Sequence, residues 1–205
     1  MKLIVITLPE FFPQEAYLID LLFDNGLETL HLRKPESNET EFENLLESIN
    51  PKNWNKIVTH DHFSLAAKYN LKGIHLNKRN DVIPENFNGT ISKSMHSAEE
   101  LVTEKQKYNY VSLSPIYNSV SKKGYNSKFT EKELLELKYK GLIDEKVYAL
   151  GGITAQNIGL LKNFGFGGAM ILGSIWQNIE NPEQFEKNFK ILQTSYELPE
   201  SKYLQ

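Results

Sequence analysis

Four of the five histidines in this chain, His31, His60, His75 and His96, fall within or just after short apolar runs that read as β-strands. Arg33, Asp61, Ser94, Ser112 and Ser114 share that placement. Imidazole changes charge near neutral pH, so histidines gathered at strand ends suit proton transfer, with Arg33 beside them to hold an anion. His75 lies well inside its run and is equally suited to filling a core layer through hydrogen bonds. Two glycine-bearing segments, Gly151-Gly152-Ile153 and Leu172-Gly173-Ser174, suit a phosphate cradle, because glycine lets the backbone approach an anion closely. They equally suit two tight turns that need positive φ. The stretch 118–124 carries Ser119, Ser121 and Lys122, and on a long connection it reads as a lid over a phosphate or pyrophosphate. No three residues have dependable metal-ligand spacing in the sequence. Asp61 and Asp81 are the carboxylates that would share a magnesium ion, which one or two carboxylates and phosphate oxygens usually hold.

The elements that must position these groups alternate along the chain. Strands are expected at 3–8, 29–33, 57–60, 73–76, 90–95, 110–116, 146–150 and 168–172, rich in Val, Ile and Leu as strands buried on both faces are. Helical periodicity follows most of them. One helix runs from Pro13 to the Asn25-Gly26 stop, and the next is announced by Asn38 and Glu41 in capping-box spacing. Others are expected over 61–70, from Ser97, from Thr130 with Glu133, over 154–164 and over 182–196. Residues 77–89 are polar and broken by Pro84 and Gly89, so the fourth helix is vestigial. Eight strands alternating with helices predict a compact (β/α)₈ TIM barrel occupying 1–205 as one domain, with the candidate groups meeting at the carboxyl ends of the strands. A doubly wound open sheet is the rival, weakened because no G-x-G-x-x-G follows the first strand.

Composition removes other functions. The chain has 205 residues, 40% hydrophobic and 24% charged, with no cysteine, so disulfide scaffolds, thiolate zinc sites and cysteine nucleophiles are excluded. Its net charge of −3 argues against binding nucleic acid or an anionic membrane surface. No apolar run is long enough to cross a bilayer and no signal-peptide pattern opens the chain, so the expected location is cytoplasmic. Phe185, Phe189 and Trp176 suit either ordinary packing or the surface of a homo-oligomer.

In order, the chain carries His31-Leu32-Arg33, Asp61, Gly73-Ile74-His75-Leu76, Ser94-Met95-His96-Ser97, Ser114-Pro115-Ile116-Tyr117, Ser119-x-Ser121-Lys122, Ala149-Leu150-Gly151-Gly152-Ile153 and Gly173-Ser174-Ile175. This series resembles the thiamine phosphate synthase/TenI family, from the first strand to about Trp176. The resemblance implies a (β/α)₈ barrel acting on a thiazole phosphate in thiamine biosynthesis. Synthases of that family join hydroxymethylpyrimidine pyrophosphate to thiazole phosphate with Mg²⁺. TenI-type members aromatise carboxythiazole phosphate without a metal. The synthase pattern Gln-Leu-Arg-Glu-Lys appears here as His31-Leu32-Arg33-Lys34-Pro35, its lysine displaced or lost. The synthase Asn-Asp pair is His60-Asp61, and the second acidic ligand aligns with Asn80, beside Asp81. The threonines of the pyrophosphate loop are Ser119 and Ser121, with Lys122 kept.

His31, Lys93 before Ser94, His96 and the Lys122-Lys123-Gly124 run all look TenI-like. The leading expectation is therefore a thiazole tautomerase needing no cofactor. His96 would shuttle the proton, with His31 and Arg33 also placed in the catalytic set. Arg33 or Lys122 would hold the substrate carboxylate. Ser94, Ser119, Ser121, Gly151, Gly152, Leu172, Gly173 and Ser174 would bind substrate and phosphate. Beside it stand a synthase that uses Mg²⁺ on Asp61 and Asp81 and also takes the pyrimidine pyrophosphate, and a barrel that binds a phosphorylated ligand without chemistry.

Overall fold

The structure is a computed structural model and describes residues 2–118 and 127–197. Its strands are β1 (Lys2–Ile6), β2 (Leu30–Leu32), β3 (Ile57–Thr59), β4 (Gly73–Leu76), β5 (Thr90–Met95), β6 (Tyr110–Leu113), β7 (Val147–Leu150) and β8 (Gly168–Ile171). They lie in sequence order, all parallel, and β1 pairs with β8 from Lys2↔Gly168 to Val5↔Ile171, so the sheet closes into the expected barrel. Closure leaves no edge strand with unpaired backbone groups. The helices are α1 (Glu15–Asp24), α2 (Glu39–Ser48), α3 (Ser64–Lys68), α4 (Ala98–Glu104), α5 (Glu131–Tyr139) and α6 (Pro182–Glu197). The capping boxes expected at Asn38/Glu41 and Thr130/Glu133 are both formed, and each satisfies two orphan groups at a helix start.

Side chains alternate across each strand, and the two faces meet different surroundings. Outward, Val5, Leu30, Leu32, Ile74, Val111 and Val147 pack with Leu18, Phe42, Leu101, Leu134 and Phe185 of the helices in one large apolar cluster. Each fully buried side chain of this size contributes about 1.5–3 kcal/mol. Inward, the barrel is divided. Ile4, Ile6, Tyr110, Tyr148 and Met170 make an apolar wall centred on β7, β8 and β1. The wall made by β2 to β6 carries His31, His60, His75, Ser92 and Ser112, all buried.

Several boundaries differ from the sequence expectation. The helix expected over 61–70 is reduced to Ser64–Lys68, because residues 61–63 are taken up by contacts at the rim of the barrel. In place of a helix over 154–164 there is a turn and then a 3₁₀ helix, Ile158–Phe164, since Asn157 accepts from the Thr154 N–H and donates to the Gly152 carbonyl. β6 stops at Leu113, short of 116, as Pro115 has no N–H to give the ladder. Phe185, Phe189 and Trp176 are all buried in the chain's own core, which settles them as ordinary packing. Among the described residues, no helix is long and apolar enough to cross a membrane.

Gly168 faces Tyr148 across the β7–β8 ladder, and a Cβ there would stand 2.1 Å from the Tyr148 ring. We expect Gly168→Ala to destabilise the fold by about 1–3 kcal/mol as Tyr148 is forced off its position. Urea unfolding should show a lower midpoint at unchanged slope, and an unchanged midpoint would contradict this packing.

Candidate active site

Alternation decides which side chains reach the rim formed by the carboxyl ends of the strands. On β5, Ser92 and Ser94 point inward, since both hydroxyls meet the His75 ring at 2.8 Å. His96 continues the same alternation just past that strand, as Arg33 continues it past His31 on β2 and Ser114 past Ser112 on β6. His96, Arg33 and Ser114 thus stand at the rim, above a polar floor.

The floor is a set of imidazoles. His31 Nδ1 lies 2.8 Å from His60 Nε2, and His31 Nε2 lies 2.5 Å from the Tyr110 hydroxyl. His60 and His75 stack with ring centroids 4.3 Å apart. Burial disfavours the charged form of all three: His31 and His60 are held well below the usual 6.5, and His75 at about 3. They are neutral at physiological pH. His75 was the expected core filler, but His31 is equally enclosed, with both ring nitrogens engaged.

His96 is different. It is half-buried, and its Nδ1 lies 3.1 Å from both the Ser114 carbonyl and the Ser114 hydroxyl. A carbonyl only accepts, so Nδ1 carries a hydrogen, which in the neutral ring leaves the lone pair on Nε2. Among the described residues, nothing hydrogen-bonds that Nε2. Glu100 Oε2 accepts from the His96 backbone N–H, and the Ser97 hydroxyl caps α4 by accepting from the Glu100 N–H. The capping residues of α4 therefore also fix the catalytic candidate.

Asp61 is already spent. Its Oδ1 accepts from Arg79 at 3.1 Å and from the Asn80 amide at 3.0 Å, and its Oδ2 accepts from the Lys34 backbone N–H at 3.1 Å. Asn80, at the position of the second acidic ligand, turns an N–H toward Asp61. Asp81 is exposed and pairs with no described residue. Magnesium prefers hard anionic oxygens, and a guanidinium and an amide N–H occupy the approach to this carboxylate. The arrangement does not fit a magnesium site.

Lys34 is spent as well. It is fully enclosed, donating to the Leu8 and Glu10 carbonyls and to both oxygens of Glu15 at 2.7 and 2.8 Å. Burial pushes the Glu15 carboxyl up to about 7. Lys93, one of the residues that look TenI-like in the sequence, faces the helices and pairs with Glu104 at 2.7 Å. Arg33 is a cation at the rim open to a ligand: its guanidinium hydrogen-bonds no described residue, and burial with Arg79 nearby lowers its pKa.

The two glycine-bearing segments are tied together, with Ser174 Oγ donating to the Ile153 carbonyl at 2.7 Å. Gly151 and Gly152 have φ of 102° and 64°. A Cβ on Gly152 would stand 2.3 Å from the Asn118 carbonyl, so the glycines are required by the neighbouring loop as well as by any anion. Gly173 is not in the positive-φ region, and Leu172, Gly173 and Ser174 are half-buried. Among the described residues, the N–H groups of Gly152, Ile153, Gly173 and Ser174 have no partner. The expected α-helix N-terminus behind these turns is absent, its place taken by the Asn157-closed turn and the 3₁₀ helix. Ser119, Ser121 and Lys122 lie outside the described residues.

Sequence reasoning missed Tyr110, which anchors His31, and Arg79, which neutralises Asp61. Tyr110 opens its strand with inward parity, which was the available signal; nothing in the sequence marks Arg79. A cavity of about 490 Å³ lies at the opposite, amino end of the barrel, lined by Lys2, Glu28, Phe189 and Tyr196 among others. It contains no histidine, whereas the rim carries the groups suited to proton transfer.

A family model described as thiamine monophosphate synthase matches residues 3–175. A crystal structure of thiamine phosphate pyrophosphorylase from Bacteroides thetaiotaomicron is 44% identical with a TM-score of 0.88, over 97% of this chain and 98% of that one. Thiamine phosphate pyrophosphorylase from Pyrococcus furiosus shares the fold, with a TM-score of 0.73 at 18% identity over 95% and 96% of the two chains. Thiamine-phosphate synthase of Thermoplasma acidophilum is 26% identical over 143 residues, 67% of this chain. The chain spans 65% of that relative's length.

The neutral rings make the fold acid-sensitive. Their pKa values are depressed in the folded state, so their contribution is complete above about pH 6.5 and is lost as pH falls and the unfolded chain takes up protons. With all three titrating only when unfolded, stability should fall by about 4 kcal/mol per pH unit below about pH 6. Denaturant midpoints measured across that range test this. In His75→Gln the slope should flatten by about a third, and an identical slope would contradict the assignment.

Proposed function

The chain belongs to the thiamine monophosphate synthase/TenI family of enzymes, and on that premise we propose that it aromatises carboxythiazole phosphate by moving one proton through His96. The observation that carries this reading is the 3.1 Å contact of His96 Nδ1 with the Ser114 carbonyl, which in the neutral ring leaves the lone pair on Nε2. Nε2 takes the proton from one carbon of the substrate and the ring becomes imidazolium, stabilised through Nδ1–H by Ser114. The same Nε2–H then protonates a second carbon. One C–H bond breaks and one forms, and no electron leaves the substrate.

Arg33 holds the substrate carboxylate, since its guanidinium hydrogen-bonds none of the described residues. The amides of Gly152, Gly173 and Ser174 hold the phosphate. Ser94, whose hydroxyl is fixed by His75, lines the side between them. His31 works from below, setting the floor without meeting the substrate.

The similarity to thiamine-phosphate synthases favours a second reading, the Mg²⁺-dependent synthase. Against it stands the carboxylate of Asp61, already matched by Arg79 and Asn80.

One pair of assays separates the readings. Purified protein is given the non-aromatic carboxythiazole phosphate in the presence of a chelator, and separately both synthase substrates with Mg²⁺. We expect aromatisation in the first and no thiamine phosphate in the second; the reverse result establishes the synthase. His96→Ala should lower the tautomerase kcat by about 100-fold or more, the usual worth of general acid–base catalysis. Arg33→Ala should act mainly on KM, raising it about tenfold or more. A His96→Ala variant of full rate would remove the proton shuttle from this residue.

A further inference from the structure

The three rings beneath the rim have an arrangement that hydrogen bonding alone does not require. His31 lies on β2, His60 directly after β3 and His75 on β4, three neighbouring strands, and one ring nitrogen from each lies within 4.8 Å of the other two. We propose that these three histidines bind one divalent late transition-metal ion, of the zinc and cobalt(II) class, inside the barrel. No step of the proton transfer at His96 uses these rings, so the two readings stand or fall separately.

The ligand chemistry selects the ion. Three imidazoles with no carboxylate and no thiolate suit zinc, cobalt, nickel or copper, and disfavour magnesium and calcium. His31 Nδ1 and His60 Nε2 already point at each other, 2.8 Å apart. Nitrogens bound tetrahedrally to zinc at 2.0–2.1 Å stand about 3.3 Å apart, so this pair needs to open by only about half an ångström. With every separation within 4.8 Å, the His75 nitrogen must move inward by at most about an ångström and a half, within the reach of a small side-chain rotation. Burial keeps the rings neutral, so protons do not compete for their lone pairs.

The surroundings match what ligating histidines need, a partner on the far nitrogen to fix tautomer and orientation. His31 has the Tyr110 hydroxyl on Nε2. His75 has Ser92 on one nitrogen and Ser94 on the other, so whichever turns to the ion, the remaining N–H keeps a hydroxyl acceptor. Without metal the N–H of one ring donates to its neighbour, and the Tyr110 O–H donates to His31. On binding, His31 shifts its hydrogen to Nε2 and Tyr110 turns from donor to acceptor. The exchange is balanced in protons, and the barrel stays folded in both states. Three protein ligands leave a fourth position open for water.

The test uses the full chain, stripped with a chelator near neutral pH and titrated with cobalt(II). We expect saturation at one ion per chain, visible bands of four-coordinate cobalt, and displacement by zinc. His31→Gln and His75→Gln should each weaken binding by about 100-fold or more, since losing even an outer partner of a ligand typically costs 10–100-fold. Asp61→Asn and His96→Gln should leave the bands unchanged. Pulsed paramagnetic resonance on the copper(II)-loaded wild type should count three imidazoles, which keeps the test independent of whether the glutamine variants fold. The proposal is overturned if the folded wild type takes up no stoichiometric cobalt, if uptake survives both glutamine variants, or if fewer than three imidazoles bind copper.

Discussion

Closing eight short parallel strands on themselves leaves each strand only one to three side chains inside, and every polar one among them must find its partners on other strands. That constraint organises this molecule. Between β2 and β6 the interior satisfies itself by pairing ring nitrogens with hydroxyls, from Tyr110 through His31 to His60, and from Ser92 through His75 to Ser94. The rim inherits its geometry from this floor. Ser94 is oriented from below by His75, and the alternation that sends Ser92 and Ser94 inward also sends His96 to the edge.

The two loops on the β1–β2 side depend on a second buried arrangement. Lys34 binds Glu15 and two carbonyls of the segment between β1 and α1, with the rings of Phe11 and Phe12 close by. An enclosed lysine with a bidentate carboxylate is costly to break, because removing one partner strands the other charge. Its backbone N–H also fixes Asp61, so one residue holds both the first loop and the carboxylate after β3.

The barrel was legible because its signals are periodic: eight β-branched runs, helical spacing between them and capping residues at Asn38, Ser97 and Thr130. The rim positions of Arg33, His96 and Gly152 followed from their place after those runs. What escaped was set by partners remote in the chain. Lys34 reads as a displaced anion-binding lysine until Glu15 is seen around it. Asp61 and Asp81 read as an acidic pair, yet Arg79 and Asn80 take the first and the second is turned to solvent. The three floor histidines are separated by unequal intervals, so no ligand spacing exists along the chain. Only the parallel ladder, pairing Leu30, His31 and Leu32 with Ile57, Val58 and Thr59, makes them neighbours. The missing helix after β7 was lost to a single asparagine, Asn157, whose side chain closes a turn where periodicity suggested continuation.

The division of the interior gives the barrel a grain. On the β7–β8–β1 wall, Ile4, Ile6, Tyr148 and Met170 meet one another through shape alone, so that wall is free to drift among oily residues of similar bulk across generations. The opposite wall has no such latitude, since each substitution there must also settle who donates and who accepts. Sequence change in descendants of this chain should therefore accumulate lopsidedly around the barrel, leaving the imidazole wall as the slow hand of its clock.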